Sequence, residues 1–278
     1  MREKIMNLKK TYIPSIGYTK ICEIGKCSLH MLEFGIIELK KRDKVTIETK
    51  ECEYAFIFLG GRALVQIEGE EGQVVGGRRN VFEDKRADSV YVPKNRRVTF
   101  TGCEHVKIAV CNTPVEEDSE PQILPASRVT LKTLGVKPWE RDTSFIIDST
   151  TNAKRLTIGE AYITPGNWAG FPPHKHDVEN MPDEGILEEI YYFLFQPDTG
   201  FGVQCLYTAD GEIDEAYRVQ QDDLVEFPRG YHTTVGAPGY NTYFLWLMAG
   251  DHQGFFRSND PSHEWVAAVE NMVKKYTL

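Results

Sequence analysis

Four residues in the second half of this 278-residue chain have the types and order of a metal-binding set. His174 and His176 stand two apart in the segment FPPHKHD. In an extended strand, residues i and i+2 share a face, so both imidazoles can reach one ion while Lys175 points away. After the polar loop DVENMPDEGIL and Glu188, Glu189 opens the apolar run IYYFLF, and His232 follows the turn FPRGY. Three imidazoles and a carboxylate suit one divalent ion, Zn²⁺, Mn²⁺ or Fe²⁺, and such sets usually leave positions open for water or substrate. An HxH pair alone is a weak signal. The ordered set is stronger, because an ionised Glu189 against an apolar run is costly unless a cation offsets it.

The elements that must hold these residues read as strands. Short runs rich in Val, Ile, Tyr and Phe, bounded by Gly, Pro, Asn and Asp, recur along the chain. In the first half they include Tyr54–Leu59, Arg62–Glu68, Ser89–Val92 and Val106–Cys111. In the second they include Leu156–Ile163, Glu189–Phe195, Gly202–Tyr207, Asp223–Phe227 and Thr242–Met248. Only Glu264–Tyr276 has a helical period, with Val266, Val269, Met272 and Val273 on one side. The expected class is therefore all-β, two barrels or sandwiches with a C-terminal helix. The proline- and acid-rich segment TPVEEDSEPQILPAS, residues 113–127, reads as a surface linker between residues 1–112 and 128–278. Each half has a Glu opening an apolar strand and a later proline turn. In that frame Glu53 matches Glu189 and Arg97 falls opposite His232, so a duplication is expected in which only the second half keeps ligands.

Bulk properties narrow the partners. A net charge of -9 and a pI near 5.4 argue against nucleic acid. No apolar run approaches the roughly 18 residues needed to span a membrane, and the N-terminus MREKIMNLKK lacks the apolar stretch of a secretory signal. The six cysteines form no CxxC pair, so reduced thiols and a cytoplasmic location are expected. The strands Glu189–Phe195 and Thr242–Met248 are apolar on both faces. They must be covered twice, by the barrel interior and by the other half or another subunit, and a homo-oligomer is expected.

The segments GNWAGFPPHKHD, LEEIYYFLF, GFGVQCLYT, DDLVEFPRGYH, GAPGYNTYFLWLMAG and NDPSHEW resemble the 5-deoxy-glucuronate isomerase family of myo-inositol breakdown. The first half resembles it more loosely, through GRRNVFEDKRADSVYVPKNR. The resemblance implies a bicupin, two cupin (jelly-roll) barrels of which the first has lost its site, with metal ligands His174, His176, Glu189 and His232. Glu188 is the alternative to Glu189. It also implies conversion of 5-deoxy-glucuronate, a small sugar acid, into 2-deoxy-5-keto-gluconate. A metal with open positions can bind the carbonyl and the neighbouring hydroxyl together, while a general base moves a proton between carbons. Candidates for the base are Glu188, Tyr192, Tyr243, Gln204 and a metal-bound water. Tyr191 shares a strand face with Glu189 but reads equally well as core. Gln204, Arg229 and Arg257 are candidates for substrate binding, the arginines for its carboxylate. His263 and Glu264 could pin the helix across the barrel mouth. No GxGxxG or P-loop motif is present. Competing expectations are a 4-deoxy-5-keto-uronate isomerase, a cupin dioxygenase and a non-enzymatic sugar-acid binding cupin.

Overall fold

The computed structural model describes residues 7–276, so the first six residues of the charged N-terminus lie outside them. Four antiparallel sheets pair into two barrels. The first barrel has a six-stranded and a four-stranded sheet, the second a seven-stranded sheet, one strand of which comes from the N-terminus, and a five-stranded one. The fold is a bicupin, mostly strand with one C-terminal helix, Trp265–Tyr276. Every strand named above is present, and the helix starts one residue later than its period suggested.

The doubly apolar strands explain how the barrels are joined. In Leu187–Gln196, the odd-numbered Tyr191, Phe193 and Phe195 pack inside the second barrel with Phe227, Phe244 and Trp246. The even-numbered Ile190, Tyr192 and Leu194 face the first half. There they join Phe34, Ile57, Tyr91, Ile158, Tyr243 and Leu245 in one core shared by both halves. Period-two alternation thus serves two hydrophobic layers at once. The second cover is the chain's own other half, so this pattern makes no demand for a further subunit.

The halves are also laced together in ways the linker reading did not anticipate. Lys9–Thr11 pairs with Asp223–Phe227 of the second barrel, so residues 1–112 are not one unit. Within the segment 113–127, Gln122–Leu124 adds an edge strand beside Ser89–Val92. Two buried carboxylates form reciprocal clamps. Glu53 accepts from the backbone N–H groups of Lys154, Arg155 and Leu156 at 2.8, 2.8 and 2.9 Å. Glu188 does the same for His30, Met31 and Leu32 at 2.7, 2.7 and 3.2 Å.

These clamps correct the frame of the duplication. Glu53 corresponds to Glu188, not Glu189, and the spacing to the proline turn becomes identical in the two halves. Tyr54, paired with Val92, then stands where Glu189 pairs with Phe227. Arg97 keeps its linear place opposite His232 but is exposed, and Val98, paired with Ile47, is the residue that faces the first barrel's core. A slip of one residue changes the face of a strand, which is why the linear match misled. The first barrel fills its site with Ile47, Tyr54 and Val98, all part of its apolar core.

Between the barrels, Arg78 Nη2 lies 2.6 Å from Glu160 Oε1, both side chains almost wholly buried. Tyr162, Tyr243 and Ser144 donate to the same carboxylate. Removing one partner of such a pair strands a buried charge, at about 3–5 kcal/mol. Arg78→Met should lower the unfolding free energy by that amount in denaturant titration. A loss below about 1 kcal/mol would show that the pair does not hold the barrels together.

Candidate metal centre

Three strands of the second barrel carry His174, Glu189 and His232, and His176 follows just past the end of the first. His174 ends its run on the strand Trp168–Lys175 and is the Cα partner of His232 on Tyr231–Gly236, while Glu189 enters from the opposite sheet. None of the four is more than 5% exposed. His176 Nε2 and His232 Nε2 each lie 3.0 Å from the same oxygen of Glu189. These three residues form a tight group whose candidate ligand atoms all fall within 4.8 Å of one another. His174 stands beside it, its ring centroid 4.4 Å from that of His232.

Backbone carbonyls set how each imidazole is presented. His174 Nδ1 faces Gly170 O at 3.3 Å, His176 Nδ1 faces Leu187 O at 2.5 Å, and His232 Nδ1 faces Gly230 O at 3.2 Å. A carbonyl can only accept, so each Nδ1 carries a proton and each Nε2 of a neutral ring offers a lone pair. This is the outer-shell arrangement of metal-binding histidines. Gly170 is needed at the approach: its φ is +61°, and a Cβ there would come within 3.1 Å of the His174 ring.

The electrostatics ask for positive charge. Burial opposes ionisation of Glu189, but His176 and His232 more than offset this and hold it below the usual carboxylate range. Burial also works against a charged His176, and the Glu189 contact outweighs it to raise that imidazole. His174, farther from the carboxylate, is driven well below its ordinary value by burial, with Arg257 and the other imidazoles adding to the effect. His232 Nε2 is buried and, despite its 3.0 Å approach to Glu189, finds no hydrogen-bond geometry. An orphaned imidazole lone pair facing an ionised carboxylate is what a bound cation would reconcile. The donor set therefore fits a divalent ion.

A cavity of about 250 Å³ opens from His174 and Glu189. Its walls include Tyr191, Phe255, Arg141 and Arg257. Several expected residues are not on it. Glu188, Tyr192 and Tyr243 all point away from the barrel interior: Glu188 is committed to its three amides, Tyr192 donates to Asp222, and Tyr243 donates to Glu160 at 2.8 Å. Strand parity puts them on the shared core face, which corrects their assignment as catalytic groups. Gln204 lies inside the barrel wall, where its amide is used by Thr234 and by the Thr233 carbonyl. Arg229 is a surface residue, paired with Asp210 at 2.8 Å and with Glu212. Arg257 does line the cavity. Arg141 and Tyr191 join it: the first carried no sequence signal beyond a charge beside a strand, and the second was visible only through its parity with Glu189. The helix is anchored not by His263 or Glu264 side chains but by Glu270, which accepts from Trp139 Nε1 at 2.9 Å, and by buried Val266. Met272, on the helix side read as apolar, is exposed.

A second group of ligand-type residues, Cys22, Cys27 and Glu226, is also compact. There the Lys10 ammonium sits 2.5 Å from Glu226 and supplies the cation, while burial pushes the Cys22 thiol far up. No disulfide forms among the described residues.

The class is thus a bicupin with a candidate metal centre in its second barrel. More specifically, the chain belongs to the KduI/IolB family, whose model matches residues 15–266. It is 37% identical over 233 residues to the 5-deoxy-glucuronate isomerase of Geobacillus kaustophilus, covering 84% of each chain. With the enzyme of that name from Bacillus subtilis strain 168 it shares 35% identity over 240 residues, 86% of this chain and 88% of the relative. An IolB-like protein from Salmonella typhimurium LT2 superposes with a TM-score of 0.90 at 28% identity, covering 94% of this chain and 99% of that one. A variant of Bacillus subtilis oxalate decarboxylase shares the fold at a TM-score of 0.64 and 13% identity, covering 99% and 86%. The chain is an isomerase of this family.

Elemental analysis of the purified protein should find about one divalent ion per chain. Glu189→Gln and His232→Ala should fall well below that with circular dichroism unchanged, while His252→Ala, at an exposed histidine, should not. Full occupancy in both site variants would mean that the ion sits elsewhere.

Proposed function

We propose that this chain is a metal-dependent aldose–ketose isomerase converting 5-deoxy-glucuronate to 2-deoxy-5-keto-gluconate in cytoplasmic myo-inositol catabolism. The observation that supports it most is the set of three buried imidazoles whose Nδ1 atoms face backbone carbonyls, two of them 3.0 Å from buried Glu189, at the end of a small cavity. The named relatives supply the substrate.

The reaction moves one hydrogen from the hydroxyl-bearing carbon to the aldehyde carbon and a proton between their oxygens, so no external oxidant is consumed. His174, His176, Glu189 and His232 would hold a divalent ion, which would supply Lewis acidity for the shift. The chain's own part is to position and to exclude water. Phe244, Trp246 and Phe255 wall the cavity, and in such a dry setting fixed charges act more strongly than in solvent. At about 250 Å³ the space is smaller than the roughly 300–1,000 Å³ of pockets for drug-sized ligands. It suits a single sugar acid. Tyr191 lines the cavity, and so replaces Tyr192 as the side chain to test for proton transfer.

Metal-replete protein should form the keto acid from 5-deoxy-glucuronate under strict anaerobiosis, read by carbon NMR. Chelation should abolish turnover, and Glu189→Gln should cost at least about a hundredfold in kcat/KM. Oxygen consumption coupled to product would favour a dioxygenase. Faster turnover of 4-deoxy-5-keto-uronate would favour the other isomerase.

A further inference from the structure

Two guanidinium groups, Arg141 and Arg257, line the same cavity as His174 and Glu189. Elsewhere the buried Arg78 has its carboxylate at 2.6 Å, and surface arginines such as Arg62, Arg97 and Arg229 are each paired with acids. Among the described residues, neither Arg141 nor Arg257 has a carboxylate within 4.0 Å. Arg141 has only a long 3.4 Å contact from Nη1 to the Trp139 carbonyl, and Arg257 lies over the Phe255 ring at 5.2 Å. Both feel Glu270, whose two oxygens are already taken by Trp139 Nε1 at 2.9 Å and by Lys274 at 2.5 Å, and Arg257 also feels Glu189, which is engaged by His176 and His232.

Two like charges on one cavity with no carboxylate in direct contact are an unfavourable arrangement unless an anion joins them. Burial and then Arg257 push Arg141 down to about 10, and burial lowers Arg257. The fork of a guanidinium matches a carboxylate in two-point contact, and two forks can hold both of its oxygens.

We infer that Arg141 and Arg257 form a clamp for the terminal carboxylate of the substrate. The acid end lies at the arginines, and the carbonyl end is directed to His174 and Glu189. This rests on the isomerase reading and deepens it by fixing the direction in which a sugar acid enters. The clamp makes the site selective for acids over neutral sugars of the same length, because a polyol or aldose leaves two half-buried cations without a carboxylate. Arg141 reaches the cavity from the strand Arg141–Ile147, and Arg257 from the segment before Ser258–Asn259. The two ends of the second barrel's chain therefore meet at this point.

Binding separates the clamp from the chemistry. Calorimetry on the metal-loaded protein would compare gluconate, a non-reacting six-carbon acid, with sorbitol, the neutral polyol of the same length. Gluconate should bind at least about tenfold more tightly, in keeping with charge-assisted hydrogen bonds. Arg141→Gln and Arg257→Gln should each remove that preference with metal content unchanged. Arg257→Lys should retain part of it, and Arg229→Gln should keep it whole. In turnover of 5-deoxy-glucuronate, the glutamine variants should show raised KM. Equal binding of acid and polyol by the unaltered protein would overturn the clamp, as would an acid preference that survives both glutamine variants. Failure to isomerise 5-deoxy-glucuronate, with the acid preference intact, would overturn the isomerase reading alone.

Discussion

The second barrel is organised around a carboxylate that has almost no contact with water. Glu189 is 2% exposed, at the head of a strand whose inward neighbours are Tyr191, Phe193 and Phe195. An ionised group in that setting is tolerated only beside positive charge. The two nearest imidazoles are held by the backbone so that their ring nitrogens turn toward it. From that follow the register of the strands bearing His174 and His232, the glycine at position 170, and the cavity left open on one side. The first barrel is free of this constraint and closes over Ile47, Tyr54 and Val98.

The strand that carries Glu189 also carries Glu188, and the two carboxylates do unrelated work because they leave opposite faces. One faces the barrel and its imidazoles. The other reaches into the first half and holds a turn by three amides, as Glu53 does in return. The same parity sends Tyr191 to the cavity and Tyr192 to the shared core. A rigid interface between barrels, with the Arg78–Glu160 pair inside it, thereby backs the strand that positions Glu189. Sites built on strands so supported hold their geometry better than sites on loops.

Much of this was legible in the residues. The β-rich class followed from period-two patterns, and the order HxH, Glu, His picked out residues that the second barrel brings together. Less was legible where two readings differ by one residue. Glu188 and Glu189 look alike in a line of letters, and only the pairing of Glu189 with Phe227 decides which faces inward. Tyr192 and Tyr243 were plausible catalytic groups until strand parity placed them in the core. Arg229 lies beside His232 in sequence, yet the turn carries it to the surface acids Asp210 and Glu212. Arg141 could not be found at all, because what marks it is a missing partner, and that is a property of space. The crossing of Lys9–Thr11 into the second barrel is long-range pairing of a short, charged strand with no pattern of its own.

X-ray absorption spectroscopy of the zinc-loaded protein tests most directly whether Glu189 and its three histidines hold the ion. The account predicts a first shell of nitrogen and oxygen only, at about 2.0–2.2 Å, with the outer scattering of imidazole rings. A sulfur shell near about 2.3 Å would place the ion with Cys22 and Cys27 instead, and would contradict it.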